Sequence, residues 1–267
     1  MRAGVWTMRL AIGLLLMCGA AGAQTGARLV WADEFDRPGL PDETKWTLET
    51  GGHGWGNQEL QFYTSGRREN ARVEDGRLVI EARREAREGR EYTSARLVTK
   101  GKGEWKYGWI EVRAKLPCGR GTWPAIWMLG AEFAKGNWPA VGEIDIMEHV
   151  GHDAGRVHGT VHTAAYNHVK GTQKAGTVQL KDVCEAFHVY AVDWREEAID
   201  FYVDGRRYFR FENERKTRAE WPFDRPFYLL LNVAVGGSWG GQKGVDAAAF
   251  PQRMEVDYVR VYDRRPE

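Results

Sequence analysis

The segment GEIDIME, residues 142–148, sets three carboxylates into an apolar run that reads as a single β-strand. Side chains along a strand alternate between its faces, so Glu143 and Asp145 share one face while Ile144 and Ile146 enter the other. Strict alternation leaves Glu148 on the apolar side. A β-bulge, in which two residues oppose one, turns the following side chain over, and residues 146–147 are the natural place for it. With that bulge all three acids face one cleft. A solvated acidic strand is the plain alternative, but it leaves the alternating isoleucines and the Trp-rich flanks unexplained.

The rest of the chain has the same period. Residues 77–82 and 110–115 alternate, and residues 199–203 and 207–211 flank Asp204-Gly205, a two-residue turn favoured in tight hairpins. Further strands are expected at residues 187–194, 227–235 and 253–262, and no convincing run has the helical period. Many strands with Gly-rich turns predict an all-β fold, a jelly-roll sandwich of two curved antiparallel sheets. Its concave face would form a groove suited to a polymer chain.

The N-terminus constrains the compartment. Arg2 and Arg9 precede an apolar run over residues 10–17 and small residues ending AGA at 21–23, the pattern of a secretory signal peptide. A lipoprotein reading of Cys18 fits less well, because Met17 occupies a position where a small residue is expected. The apolar run is shorter than the roughly 20 residues of a membrane span. The expectation is a secreted chain, extracellular or periplasmic, with residues 24–267 forming one domain and no membrane association after processing. No linker, repeat or charge block divides that domain. Basic and acidic residues nearly balance, at 38 and 37 before two arginines are lost with the leader, so there is no electrostatic case for a nucleic-acid partner. Cys118 and Cys184 remain as an even pair that an oxidising compartment can bridge; two buried thiols are the alternative.

Paired carboxyls suit glycosidic bond hydrolysis. A retaining enzyme holds two of them about 5–5.5 Å apart, one attacking the anomeric carbon and the other protonating the leaving oxygen. Four strand steps span roughly 13 Å, so the sheet must curve inward for Glu143 and Glu148 to meet. Crowding also raises at least one pKa, which keeps an acid neutral near pH 7. Trp123 and Trp127, four apart, share a strand face and would line the groove, and Trp55, Trp138 and Trp239 lie in glycine-flanked loops. Indole faces stack on sugar rings, whereas Trp109 and Trp194 have the apolar neighbours of core residues. Asn57, Gln58, Glu59 and Gln61 offer polar contacts to hydroxyls, with an ordinary loop cap as the alternative. His149, His152, His158 and His162 raise a metal-hydrolase alternative, but the zincin helix signature is absent. His162 is expected beside the carboxylates and the other three in loops or a second layer.

The combined motifs EIDIME (143–148), WPAIWML (123–129) and HGTVH (158–162) closely resemble the laminarinase-like branch of glycoside hydrolase family 16. The resemblance extends through DEF (33–35), GNQELQFY (56–63), SARLVT (94–99), NVAVGG (232–237) and VDYVRVY (256–262). It implies a β-jelly roll cleaving β-1,3-glucan internally with retention, with Glu143 as nucleophile, Asp145 assisting and Glu148 as acid/base. Mixed-linkage β-1,3-1,4-glucanase, transglycosylase and non-catalytic glucan-binding relatives are the alternatives. It further implies sugar subsites at Trp123, Trp127, Asn57, Arg96 and His162, while Trp138 and Trp239 are loop candidates from the residues themselves. Met147 marks the branch, in agreement with the bulge inferred from parity. No catalytic cofactor is implied; one structural calcium is, at Glu34, the Gly76 carbonyl and Asp257 on the convex side. The partner expected is a β-glucan, met by a monomer.

Overall fold

The computed structural model describes residue 1, residues 26–134 and residues 136–267. Residues 2–23 of the expected leader, Cys18 included, lie outside the described residues. Two sheets dominate. The concave sheet runs in the order Lys174–Gln179, Arg156–His162, Glu143–Glu148, Thr122–Gly130, Phe227–Val235, Arg96–Val98 and Thr47–Leu48, with Glu104–Trp105 added on Phe227–Val235. The convex sheet runs Arg206–Glu212, Ala198–Val203, His188–Trp194, Gly108–Lys115, Gln252–Tyr262, Arg77–Arg87, Arg90–Ser94 and Gln61–Tyr63. Leu29–Asp33 pairs with Gln252–Tyr262 and Ala71–Glu74 with Arg77–Arg87. All ladders are antiparallel except Gln61–Tyr63 against Arg90–Ser94. This is the jelly-roll sandwich that the alternation predicts.

Period two builds the core directly. Ile126, Met128, Ile144, Val157, Val161, Leu229, Leu231 and Val233 point from the concave sheet toward Ile110, Val112, Val192, Val256 and Val259 of the other. The hairpin turn falls at Asp204-Gly205, both with positive φ (48° and 75°), the geometry that an Asp-Gly pair tolerates. Strand ends differ from the sequence expectation by a residue or two, except that Arg77–Arg87 continues five residues past Ala82 as an exposed hairpin arm. Among the described residues the only helical pieces are the four-residue Gly237–Gly240 and two 3-10 turns. No helix among them is long and apolar enough to cross a membrane.

Trp194 is a core residue, as expected, stacked edge-on to Tyr107 and Phe227. Trp109 is buried too, but in a separate cluster with Ala191 and Tyr202, beneath the Arg265 guanidinium. Strand parity accounts for this, because Trp109 and Ile110 are neighbours and only one can face the sandwich. Cys118 and Cys184 form a disulfide across 66 residues.

The convex corner expected to hold calcium is assembled by register. Asp33 opposes Val259, and Val256 opposes Leu78, so Glu34, Asp257 and Gly76 lie close along neighbouring strands. Both Glu34 oxygens and one of Asp257 are hydrogen-bonded to arginines. Arg260 donates to both Glu34 oxygens at 2.8 Å, and Arg113 donates to Asp257 Oδ2 at 2.5 Å. Calcium takes six to eight oxygen ligands. In this arrangement Arg260 and Arg113 would compete with an ion for three of the carboxylate oxygens.

Candidate active site

The strand Glu143–Glu148 is central in the concave sheet and carries the inferred bulge. On one side Glu143, Asp145 and Glu148 oppose Leu129, Trp127 and Ala125; on the other they oppose His162, Thr160 and His158. Ile126 opposes Met147 while Trp127 opposes Asp145, so Ile146 is the residue without a partner. Ile144, Ile146 and Met147 are all fully buried in the core. The consecutive pair Ile146-Met147 facing inward is what returns Glu148 to the acids' side. Pro124, which cannot donate to a ladder, stands one residue beyond Ala125, where pairing with the acid strand ends.

Each glutamate accepts one indole N–H. Trp138 Nε1 donates to Glu143 Oε2 at 2.8 Å, and Trp123 Nε1 donates to Glu148 Oε1 at 3.0 Å. His162 Nε2 lies 3.3 Å from Asp145 Oδ2 and 3.9 Å from Glu143 Oε1. Burial raises all three carboxyls. Glu143 is pushed up to about 8 by burial and by the Asp145 charge, against the pull of His162 and the Trp138 N–H. Glu148 rises to about 7 through burial, opposed by His162 and the Trp123 N–H. Asp145, 2% exposed, is held well above the usual carboxylate range by burial and by Glu148. Three such groups cannot ionise together, so the cluster retains protons at neutral pH.

The groove walls extend from this cluster. Trp123 meets Trp239 edge-on at 5.5 Å between ring centroids, and Trp239 meets His158 at 4.8 Å, forming an aromatic wall beside Glu148. Trp127 donates to Asn232 Oδ1, and the Arg96 guanidinium lies between the Trp127 and Trp55 rings, 4.7 and 4.8 Å from their centroids. Arg96 Nε also donates to Glu49 Oε2 at 2.5 Å. Asn57 sits at the Trp123 end, where its carbonyl accepts from Ser238 N and lies 2.9 Å from the point a Gly237 Cβ would occupy. Trp123, Trp127, Trp138, Trp239, Asn57, Arg96 and His162 are thus brought to the same face as the acids.

Two of the polar residues expected to meet hydroxyls do not. Glu59 and Gln61 are buried, with Gln61 Nε2 donating to Glu59 Oε2 at 2.6 Å and Gln61 Oε1 accepting from Val235 N at 2.8 Å. They support the groove floor, since Tyr63 links Glu59 to Asn232 and so to Trp127. His149 is fully buried just past the end of the acid strand, accepts from Gly155 N, and is held down to about 4 by burial. His168 was not anticipated; its ring lies 5.0 Å from Trp138 and 5.2 Å from His162. Only its aromatic character in a chain rich in groove aromatics could have signalled it.

A model of Glycosyl hydrolases family 16 matches residues 58–260. The chain is 57% identical to a β-glucanase of Rhodothermus marinus over 94% of its own length and 92% of that protein. It superposes on the laminarinase from Rhodothermus marinus with a TM-score of 0.87 at 58% identity, covering 90% of this chain and 98% of that one. A non-specific endo-β-1,3(4)-glucanase superposes with a TM-score of 0.86 at 54% identity, covering 90% and 92%. A bulged strand with three inward carboxyls, its indole partners and these matches have one reading: the chain belongs to glycosyl hydrolase family 16.

Proposed function

We propose that this chain is a secreted, monomeric endo-1,3-β-glucanase that hydrolyses laminarin-type glucan with retention of configuration. The observation that carries the reading is that Glu143, Asp145 and Glu148 face one groove, with an indole N–H on each glutamate. A glucan lies along the groove with rings against Trp123, Trp127 and Trp239. Glu143 attacks the anomeric carbon while Glu148 gives its proton to the leaving oxygen, and a glycosyl-enzyme ester forms. Glu148, now ionised, takes a proton from water, whose oxygen attacks the same carbon and frees Glu143. Asp145 and His162 hold the nucleophile's charge and orientation from below. The Trp138 N–H fixes Glu143 Oε2, leaving Oε1 as the attacking atom.

The resemblance supports β-1,3 specificity, as do the names of the similar proteins. Mixed-linkage β-1,3-1,4-glucan is a second substrate on this reading, because a structure of 54% identity is described as a non-specific β-1,3(4)-glucanase. Digestion of laminarin, lichenan, cellulose and agarose in parallel, with products sized, tests it. Laminarin should yield a ladder of short oligomers with lichenan cut more slowly. Cellulose or agarose as the preferred substrate, or products longer than the starting chains as the main outcome, would contradict it.

A further inference from the structure

The acid cluster holds a second chemical possibility. His162 Nε2, one oxygen of Glu143 and one of Asp145 all lie within 4.8 Å of one another, the only such set of three ligand residues among the described residues. Ligands at 2.0–2.2 Å around a tetrahedral ion stand about 3.4 Å apart. The 3.3 Å edge between His162 and Asp145 already has that spacing, and the 3.9 Å edge to Glu143 needs a small side-chain closure. Asp145 Oδ2 is buried and has no hydrogen-bond partner among the described residues. The Trp138 indole occupies Glu143 Oε2 and leaves Oε1 toward the imidazole.

We propose that Glu143, Asp145 and His162 bind a divalent first-row transition ion of the zinc class, and that the bound ion inhibits the enzyme by taking the nucleophile's lone pair. One imidazole and two carboxylates suit zinc, copper, cobalt or nickel. Calcium and magnesium require more oxygens than these three side chains supply. Binding displaces the protons that the crowded carboxyls retain, and the ion's charge then offsets the repulsion between them. His162 Nδ1 lacks the second hydrogen bond that usually supports a ligating histidine, so binding should be reversible by chelators. The inhibition rests on the function proposed above; the binding does not.

Calorimetric titration of EDTA-stripped protein with zinc chloride at pH 7, without glucan, tests the site itself. One equivalent should bind, at least tenfold more weakly in His162→Gln and in Glu143→Gln, and undiminished in His152→Gln. Excess magnesium or calcium should not displace it. Cobalt in place of zinc should give visible absorption of four-coordinate intensity that disappears in His162→Gln. Thermal melts establish that each variant folds, and Glu143→Gln decides alone if His162→Gln does not. No zinc binding, or binding unchanged in both variants, would overturn the site. Stoichiometric zinc with laminarin hydrolysis at the metal-free rate would overturn the inhibition, and EDTA should restore turnover if the proposal holds. An enzyme inactive on laminarin that still binds zinc through these residues would refute the proposed function and leave the site standing.

Discussion

At the scale of single residues, the site depends on carboxyls held out of water and close together. Burial pushes Glu143 up to about 8 and Glu148 up to about 7, so the ionised Glu143 and protonated Glu148 that the proposed mechanism needs share the cluster's protons with other ionisation states near neutral pH. The Asp145 charge is one cause of the Glu143 shift. Asp145→Asn removes it, and the acid limb of the kcat/KM profile should move to lower pH, even as the maximum rate falls. A limb that stays in place would mean that Asp145 does not act on Glu143 through charge. Stability has its own sign. A carboxyl raised in the folded state from an ordinary 4.5 to about 7 favours the fold fully below 4.5, and that contribution is lost as pH rises through 7. Glu148→Gln cannot ionise, so relative to the parent it should gain on the order of 3 kcal/mol between pH 4 and pH 8. Thermal melts at the two values measure this directly.

At the scale of elements, the bulge decides where Glu148 points. Deleting Met147 would let Ile146 take its place opposite Ile126, leaving Glu148 still opposite Ala125. That variant should lose stability, on the order of 2–5 kcal/mol for a buried methionine, yet retain measurable laminarin cleavage. Inserting an alanine after Met147 would instead send Glu148 to the core side and should abolish cleavage. The Trp123/Trp127 pair was legible in the sequence because it obeys a local period of two, and the acid strand because it keeps that period as far as Ile146 and then breaks it. Parity located the bulge within Ile146-Met147; that Ile146 is the unpaired member depends on the partner strand. The stacking of Arg96 between Trp55 and Trp127 joins distant segments, and the Trp138 bond to Glu143, five residues away, depends on a turn; neither obeys a local period. The burial of Glu59 and Gln61 was hidden because Val235, which holds Gln61, is distant in sequence, although Tyr63 follows both at a spacing of two. The corner at Glu34 and Asp257 shows a further limit, because proximity was readable and the competing arginines were not.

At the scale of the whole molecule, a groove of this kind requires a rigid curved sheet backed by a second one. The Cys118–Cys184 bridge ties the loop before Thr122–Gly130 to the one before His188–Trp194, linking the two sheets. Closing 66 residues contributes up to about 4 kcal/mol in the chain-entropy limit. Replacing both cysteines by serine should lower the melting temperature while leaving KM for laminarin nearly unchanged, because neither cysteine lines the groove. A raised KM with an unaltered melting temperature would assign the bridge to the site instead. The central claim is that Glu143 forms the covalent bond to sugar. Incubation with an activated 2-deoxy-2-fluoro-β-laminaribioside followed by peptide mass spectrometry tests it most directly. The account predicts one fluoroglycosyl adduct, on Glu143, absent from Glu143→Gln; an adduct on Glu148 or on a residue outside the groove would contradict it.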